Sequence, residues 1–461
     1  MLTTIVAGMF VLGVVVLVHE FGHFIVAKKA GVFVKTFSVG FGRKILRRRI
    51  GDTVYALSVL PFGGYVKFAG ESEFGGEVEE TAAEDEPPPG PNDEIPDRDI
   101  PPSRYFLRKR GSVRAAVLLA GPFMNYVTAV VLYIGVFFVQ GVQVVPTRTI
   151  GEVTPGGPAD SVGIAAFDEI LAVDGELVGD WSEVQAPFVA DATAERTLRL
   201  LRGGEEIEVA FRPRVIEGRV QLGFAPHITS RIGRVQKGKP AWQAGIRSGD
   251  VIEAIADTVV TTYDEVRRMI HARPGVPVAI RWRRDGVARA DTVVPEPKEV
   301  LQAGSGSEFT TVGAIGVGPL YERRRESLFA SARDGFSAAN GMIATIVVYL
   351  KQLFTGRMGV RTLGGPILIT QMAGDVANWG FDYLLLFLAF FNINLCIFNL
   401  LPLLPFDGGH LALLTWEGVT RRPINRRLRE WMTQGGFVLI ILLMAFVVML
   451  DLSRCSGVVR L

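Results

Sequence analysis

The chain has 461 residues, of which 49% are hydrophobic and 21% are charged, and its mean hydropathy is +0.30. This apolar excess excludes an ordinary soluble enzyme, and the length exceeds that of one typical domain. The formal net charge of +2 argues against nucleic acid as a partner, and two cysteines are too few for a disulfide framework or a multi-thiolate metal site.

Four apolar runs are long enough to cross a lipid bilayer, which takes about 20 helical residues. They are predicted to form transmembrane helices at residues 1–27, 113–140, 383–413 and 435–453. The first run lacks the charged start and the cleavage site of a signal peptide, so we expect it to remain as a helix. Two shorter apolar stretches within the region 301–382 are predicted to be membrane-surface or re-entrant elements.

The positions of basic residues indicate how these helices cross the membrane. Lys and Arg cluster in the segments 28–112 and 414–434, and the positive-inside rule places both on the cytoplasmic side. The N-terminus, the long segment 141–382 and the tail 454–461 then lie on the opposite side, which is the periplasm in a bacterium. The sequence therefore predicts a multi-pass protein of the bacterial inner membrane, embedded in the lipid bilayer.

The first cytoplasmic segment is predicted to contain a β-hairpin and a linker. Alternating apolar residues predict short strands within 37–70, bounded by turns at Gly40-Phe41-Gly42 and Pro61-Phe62-Gly63-Gly64. Residues 71–102 are acidic and rich in proline, which predicts a solvated linker that is disordered or loosely held. An acidic segment that binds a partner is the alternative.

An internal repeat occupies the long segment after the second span. The stretch "IGEVTPGGPADSVGIAAFDEI" from Ile150 aligns without a gap with "IGRVQKGKPAWQAGIRSGDVI" from Ile232. The shared pattern resembles PDZ domains. This resemblance implies two small α/β PDZ domains, at 141–225 and 226–300, which can bind extended peptides by strand addition. The alternative is a pair that acts only as a steric cap over the membrane part.

His19, Glu20 and His23 lie together inside the first apolar run, in "HEFGH". On a helix the two histidines lie one turn apart on one face, so both imidazoles can reach one ion at about 2.0–2.1 Å. Glu20 projects about 100° around the helix, where it can take a proton from an activated water. Ionisable groups at membrane depth cost a few kcal/mol each, and zinc ligation is the simplest compensation. A polar patch that joins helices is the alternative, but it would not require this spacing.

A third ligand is predicted near the end of the third span, in "NLLPLLPFDGGH" at residues 399–410. Catalytic zinc usually takes three protein ligands and a water. Asp407 is favoured because it lies at the same predicted depth as the two histidines, and His410 is its rival. Asn394 and Asn399 on this span are predicted to bind the substrate backbone or to hold the transition state, or else to join neighbouring helices.

These motifs together resemble the site-2 protease family of intramembrane zinc metalloproteases. They are H-E-x-x-H in the first span, N-x-x-P-x-x-x-x-D-G near the end of the third, and the tandem PDZ-like repeat between them. The hairpin around Gly40 and Gly42 resembles the membrane-re-entrant β-loop of that family. "GPFMN" at residues 121–125 is similar to an element of its second span. The acidic insert 71–102 does not map onto the family pattern.

The resemblance implies an enzyme that cuts the transmembrane segments of single-span membrane proteins, especially trimmed anti-sigma factors and remnant signal peptides. Zinc would be held by His19, His23 and Asp407, and Glu20 would be the catalytic base. The β-loop with Gly40 and Gly42 would pair with the unwound substrate, and the PDZ pair would exclude untrimmed substrates by size.

The fold class implied is a polytopic α-helical membrane protein with four transmembrane helices, a membrane-associated β-hairpin and two PDZ domains. Two other functions compete with the protease. One is a membrane-anchored PDZ scaffold or quality-control protein with a non-catalytic metal site. The other is a metal transporter, which would spread its ligands along a path across the bilayer, whereas these candidates cluster at one depth.

Overall fold

The structure is a computed structural model and describes residues 2–70, 90–216, 219–301, 309–356, 359, 364–422 and 424–456. The chain divides into two compact units. We call Met1–Val139 with Ser327–Leu461 the membrane unit, and Gln140–Glu326 the β unit. The described helices are α1 Leu2–Lys29, α2 Gly111–Gln140, α3 Pro158–Ser161, α4 Trp181–Ala190, α5 Pro240–Gln243, α6 Tyr263–His271, α7 Leu328–Phe354, α8 Pro366–Trp379, α9 Phe381–Leu400, α10 Asp407–Thr420 and α11 Arg426–Ser456.

Within the described part of the chain, four helices are long and apolar enough to cross a membrane. They are α1, α2, α9 and α11, so the number of spans agrees with the prediction. Helix α1 ends at Lys28 and Lys29, whose charges interact favourably with the negative end of the helix dipole.

The third predicted span, 383–413, is not one helix. Helix α9 ends at Leu400 and α10 begins at Asp407, with two prolines in the intervening turn, where they cannot continue the ladder of backbone hydrogen bonds. The start of α10 lies very close to this turn, because a Cβ atom on Gly408 would stand 2.4 Å from the carbonyl carbon of Leu400. Asp407 therefore belongs to the first turn of a separate helix.

The loop predicted at 414–434 and the span predicted at 435–453 also differ from the structure. Helix α10 runs to Thr420 and α11 begins at Arg426. The charged start of α11 is helical and belongs to the candidate span Arg427–Leu452, and the Asn425 side chain accepts a hydrogen bond from the Arg427 amide there.

The region 301–382, predicted to lie at the membrane surface, begins with strands of the β unit and continues as α7 and α8. Helix α8 packs closely on α1, since a Cβ atom on Gly374 would lie 2.6 Å from the Thr4 hydroxyl.

The predicted hairpin has longer strands than expected, β1 Val34–Ile50 and β2 Thr53–Phe68. Each strand bends, so the pair forms four antiparallel segments in the order 44–50, 53–58, 34–39 and 64–68. Gly40 and Gly42, with φ of +87° and +86°, lie at the bend of β1, a backbone conformation that glycine adopts without strain. We call residues 64–68, which pair on one side only among the described strands, the edge segment.

Part of the acidic linker predicted at 71–102 is ordered. Residues 71–89 lie outside the described residues, but residues 90–100, which we call the acidic strap, cross the β1–β2 sheet. Ile95 and Ile100 pack with Phe33 and Tyr105, and Asp97 forms an ion pair with Lys35. The prediction was wrong here because composition does not show that these acidic side chains meet basic side chains of the sheet.

The β unit contains the remaining described strands. They are β3 Val142–Val144, β4 Ile150–Val153, β5 Glu169–Val173, β6 Glu176–Leu177, β7 Arg196–Arg202, β8 Glu205–Phe211, β9 Arg214–Ile216, β10 Arg219–Gln221, β11 Phe224–Pro226, β12 Ile232–Val235, β13 Val251–Ile255, β14 Thr258–Val259, β15 Val278–Arg284, β16 Val287–Val293, β17 Glu296–Leu301, β18 Phe309–Ala314, β19 Val317–Pro319 and β20 Glu322–Arg324.

The two copies of the sequence repeat fold alike. Each has a four-stranded antiparallel sheet, in the order β6-β5-β7-β8 and β14-β13-β15-β16, and each has its own apolar core. In the first copy Arg202 holds the buried Asp168 with two nitrogens, at 2.7 and 2.6 Å. Arg284 holds Asp250 in the same way, at 2.7 and 2.8 Å.

The second copy extends past its predicted end at residue 300. Strand β12 at its start pairs with β19, as β4 pairs with β11 in the first copy. The hairpin of β17 and β18 is inserted in the sequence before β19, so the strand that pairs with β12 comes after residue 300.

Candidate metal centre and active site

Helix α1 presents His19 and His23 on one face, as their spacing requires. Their Nε2 atoms lie 3.1 Å apart, and the two residues are only 6% and 7% exposed. Each imidazole turns this nitrogen toward the same point.

The first turn of α10 brings Asp407 to the same point. Its Oδ2 atom lies 3.1 Å from His19 Nε2 and 3.3 Å from His23 Nε2. A tetrahedral zinc site with bonds of about 2.0–2.1 Å separates its ligand atoms by about 3.3–3.4 Å. The buried Asp407 Oδ2 has no hydrogen-bond partner among the described residues, as a ligand atom without its ion would not. Two imidazole nitrogens and one carboxylate oxygen are also a donor set of catalytic zinc, so these residues fit the metal.

The rival ligand, His410, is not part of the cluster that the described residues form around this point. It lines a separate cavity of about 30 Å³ with Arg114 and Arg429. The structure thus brings together the favoured three of the four predicted ligand candidates.

Helix α2 orients both imidazoles. His23 Nδ1 donates a hydrogen bond of 2.7 Å to the Val117 carbonyl, which leaves Nε2 with a free lone pair. The Asn125 amide nitrogen lies 3.4 Å from His19 Nδ1, and the buried Asn125 Oδ1 has no partner among the described residues. Rotation of this amide by 180° places Oδ1 where it accepts from His19 Nδ1–H, which satisfies both groups.

Two glycines allow α1 and α2 to approach this closely. A Cβ atom on Gly22 would lie 2.3 Å from the Ala120 carbonyl oxygen. A Cβ atom on Gly121 would lie 2.4 Å from His23 Nε2 and 2.7 Å from His19 Cε1. Gly121 and Asn125 stand one helical turn apart on α2. That spacing within "GPFMN" was the sequence signal available for residues that pack against the two histidines.

Glu20 lies next to the ligand cluster and is not part of it. Its Oε2 atom accepts a hydrogen bond of 3.1 Å from the Val66 amide, in the edge segment. The carboxylate therefore stands between the histidine-bearing helix and the border of the β1–β2 sheet.

The other predicted site residues lie apart from the described ligand contacts. The Asn394 side chain donates to Phe390 O within its own helix, at 2.8 Å, and Asn399 is half-buried at the end of α9. Gly40 and Gly42 lie in the bend of β1. The sequence reasoning missed Asn392, which is fully buried and whose Oδ1 has no partner among the described residues.

Comparisons with known proteins identify the family of this chain. A model of peptidase family M50 matches residues 7–443. "Regulator of sigma-E protease RseP" of Salmonella typhimurium is 32% identical over 98% of this chain and 99% of its own. The protein of the same name from Escherichia coli is 31% identical over 96% and 97%. A "Putative zinc metalloprotease" of Vibrio cholerae is 31% identical over 97% and 98%.

Among solved structures, the PDZ domain of an SdrC-like protein from Listeria monocytogenes matches 20% of this chain and 87% of its own, at 19% identity. Its TM-score of 0.16 is too low to support a fold assignment. The family match and the full-length relatives do confirm the resemblance to site-2 proteases and the requirement for zinc. The chain belongs to peptidase family M50 and is an intramembrane zinc metalloprotease.

Proposed function

We propose that this protease cuts the transmembrane segments of single-span membrane proteins, namely trimmed anti-sigma factors and remnant signal peptides. One observation carries the proposal: three ligand atoms converge beside a carboxylate that is hydrogen-bonded to the border of a β-sheet. The names of the Salmonella and Escherichia relatives, which are regulators of sigma-E, support anti-sigma factors as the substrate class.

We assign zinc binding to His19, His23 and Asp407. When bound, zinc supplies a Lewis acid that activates water and polarises a peptide carbonyl. Glu20 accepts the proton of the attacking water and passes it to the leaving amine. Val117 and Asn125 keep the imidazoles in the orientation that the ligands need.

The edge segment is the proposed docking site for the unwound substrate. Among the described strands its second edge carries no paired strand, so an extended peptide can add there by backbone hydrogen bonds. Such a peptide would run past Glu20, because the Val66 amide already contacts that carboxylate. Gly40 and Gly42 would shape the sheet for this role, and Asn394 and Asn399 remain proposed contacts to the substrate backbone.

We further propose the membrane orientation indicated by the basic segments. The N-terminus, the β unit and the C-terminus would be periplasmic, and the metal centre would lie near the cytoplasmic face. Lys28 and Lys29 at the end of α1, and the basic residues that precede and begin α11, support this arrangement.

The two halves of the β unit are proposed to be PDZ domains. Their shared strand order and their matched Asp–Arg pairs support a common fold. In the first half, a groove of about 570 Å³ lined by Thr154, Gly156 and Arg214 is large enough for a peptide segment. Peptide ligands are therefore expected for at least this copy.

The test is Glu20→Gln in the full-length protein, reconstituted in vesicles with a trimmed single-span reporter. The amide keeps the size of the side chain but accepts no proton, so we expect cleavage to fall by about 10²–10⁴-fold while zinc content is unchanged. Glu205→Gln, which alters an exposed carboxylate of the β unit, is the control and should cut normally. Normal turnover by Glu20→Gln would contradict the role given to this residue.

A further inference from the structure

The acidic strap makes its central contact through one carboxylate. Glu94 Oε1 accepts hydrogen bonds from the Thr36 hydroxyl at 2.6 Å and from Lys44 Nζ at 2.9 Å. Glu94 Oε2 accepts from Lys67 Nζ at 3.0 Å. These three donors come from three of the four segments of the β1–β2 sheet, so one side chain ties those segments together.

A second carboxylate of the strap holds the chain just beyond the edge segment. Asp97 Oδ1 accepts from the Gly70 amide at 2.9 Å, and its Oδ2 pairs with Lys35 at 2.8 Å. The Tyr105 hydroxyl donates to the Asp97 carbonyl, which fixes the strap from its other side. Residues 67–70 are therefore held twice, once by a lysine side chain and once by the backbone.

These contacts differ from ordinary surface ion pairs. Thr36 is fully buried and Lys35 is only 6% exposed, whereas the side chains of Lys44 and Lys67 are 25% and 43% exposed, so the strap joins buried groups of the sheet to partly exposed ones. Burial would raise the pKa of Glu94, but the hydrogen bonds from Thr36, Lys44 and Lys67 outweigh it and lower the pKa to about 2. Glu94 is thus a carboxylate at neutral pH, and its charge-assisted bonds are of the stronger kind.

The held segment is the one that touches the candidate catalytic base. Val66 donates its amide proton to Glu20, and the next residue, Lys67, is bound by Glu94. Consecutive residues of a strand lie only about 3.3 Å apart, so the residue that Glu94 holds directly adjoins the residue that contacts Glu20.

We propose that the acidic strap is a positioning device for the active site. Glu94 fixes the edge segment beside Glu20 and thereby sets where a substrate strand is added. This inference rests on the proposed function, because it takes the edge segment as the docking site. The described contacts of Glu94 are with Thr36, Lys44 and Lys67 and not with the metal-ligand cluster, so we place its action in the strand that it holds.

The test compares two carboxylates of the strap in the full-length protein. Glu94→Gln removes the charge that binds Lys67. The matched control is Asp93→Asn, because the described contacts of Asp93 are with the exposed Arg47 and the Gly90 amide, outside the edge segment. Hydrogen exchange of residues 64–68 and the steady-state cleavage of the single-span reporter are measured for both variants, together with zinc content.

We expect Glu94→Gln to raise exchange in the edge segment by about tenfold and to raise KM about tenfold, with a smaller change in kcat and no loss of zinc. Asp93→Asn should stay within about twofold of the wild type in each measurement. Glu94→Asp keeps the negative charge beside Lys44 and Lys67 and should raise KM less than Glu94→Gln does, a difference that a general loss of folding at this position would not produce.

Two outcomes would overturn the inference. One is exchange in the edge segment that is equal in Glu94→Gln and Asp93→Asn. The other is faster exchange with unchanged KM, which would make the strap a structural brace alone. Neither outcome would contradict the proposed function. That proposal is contradicted only if Glu20→Gln still cuts the reporter.

Discussion

The metal centre and the acidic strap hold their parts together in opposite ways. At the metal centre, two helices approach each other because Gly22 and Gly121 carry no side chain, and three ligand atoms lie within 4.8 Å of one another. The strap instead crosses the sheet with separate hydrogen bonds and ion pairs from Glu94 and Asp97. At a closely packed site one added atom displaces the ligands, whereas at a site with several separate polar contacts the loss of one contact weakens the structure only in part.

The largest expected effect follows from adding one methyl group at the metal centre. In Gly121→Ala the new Cβ would overlap His23 Nε2, so the imidazole or the helix must move. Displacement of a catalytic group by about 1 Å can cost about a hundredfold in rate. We expect zinc binding to weaken and reporter cleavage to fall by about a hundredfold or more, measured by metal analysis and by initial rates.

Gly135→Ala on the same helix is the control for Gly121→Ala. No atom lies within 4 Å of a Cβ built at Gly135, so this variant should bind zinc and cut normally. Equal behaviour of the two variants would show that close packing at Gly121 does not matter.

A smaller effect is expected behind the ligands. Asn125→Leu keeps the branching and the number of side-chain heavy atoms but removes the partner of His19 Nδ1, and loss of such partners costs about 10–100-fold in metal affinity or activity. Asn125→Asp can still accept from Nδ1–H and should retain most of the affinity, measured by competition with a zinc chelator. If Asn125→Leu and Asn125→Asp lower the affinity for zinc equally, Asn125 does not orient His19.

The smallest effect is expected at the strap, as a function of pH. The pKa of Glu94 is about 2 in the folded protein, below its ordinary value of 4.5. Its stabilising contribution is therefore fully present above about pH 4.5 and is lost as the pH falls toward 2. Protection of residues 64–68 from hydrogen exchange, corrected for the intrinsic rate, should be constant from pH 7 to 5 and fall below that. Glu94→Gln should show a flatter profile, and an identical profile would remove Glu94 as the cause.

The same contrast explains how much could be predicted from the sequence. His19, Glu20 and His23 stand on one helix, so their spacing alone predicts a shared ion. Asp407 could be matched to them by its predicted depth in the membrane. The end of the helix before Asp407 could not be predicted, because the hydropathy of the window stays high across Pro402 and Pro405 and indicates one span at 383–413.

Contacts between elements distant in sequence were the hardest to predict. Gly121 and Asn125 matter because α2 packs on α1. Their spacing of one turn places them on one face of α2, but it does not show that this face meets the histidines of α1. The strap was predicted as a disordered linker because its composition is acidic and rich in proline. Its order depends on meeting Lys35, Lys44 and Lys67, which only the folded sheet brings together.

The central claim is that α1 and α10 together bind one zinc ion. Zinc content of the purified full-length protein tests it most directly, measured for the wild type, Asp407→Ala and His410→Ala. The geometry predicts about one zinc per chain in the wild type and in His410→Ala, and a large loss in Asp407→Ala. Full zinc content in Asp407→Ala, or its loss in His410→Ala, would contradict this assignment.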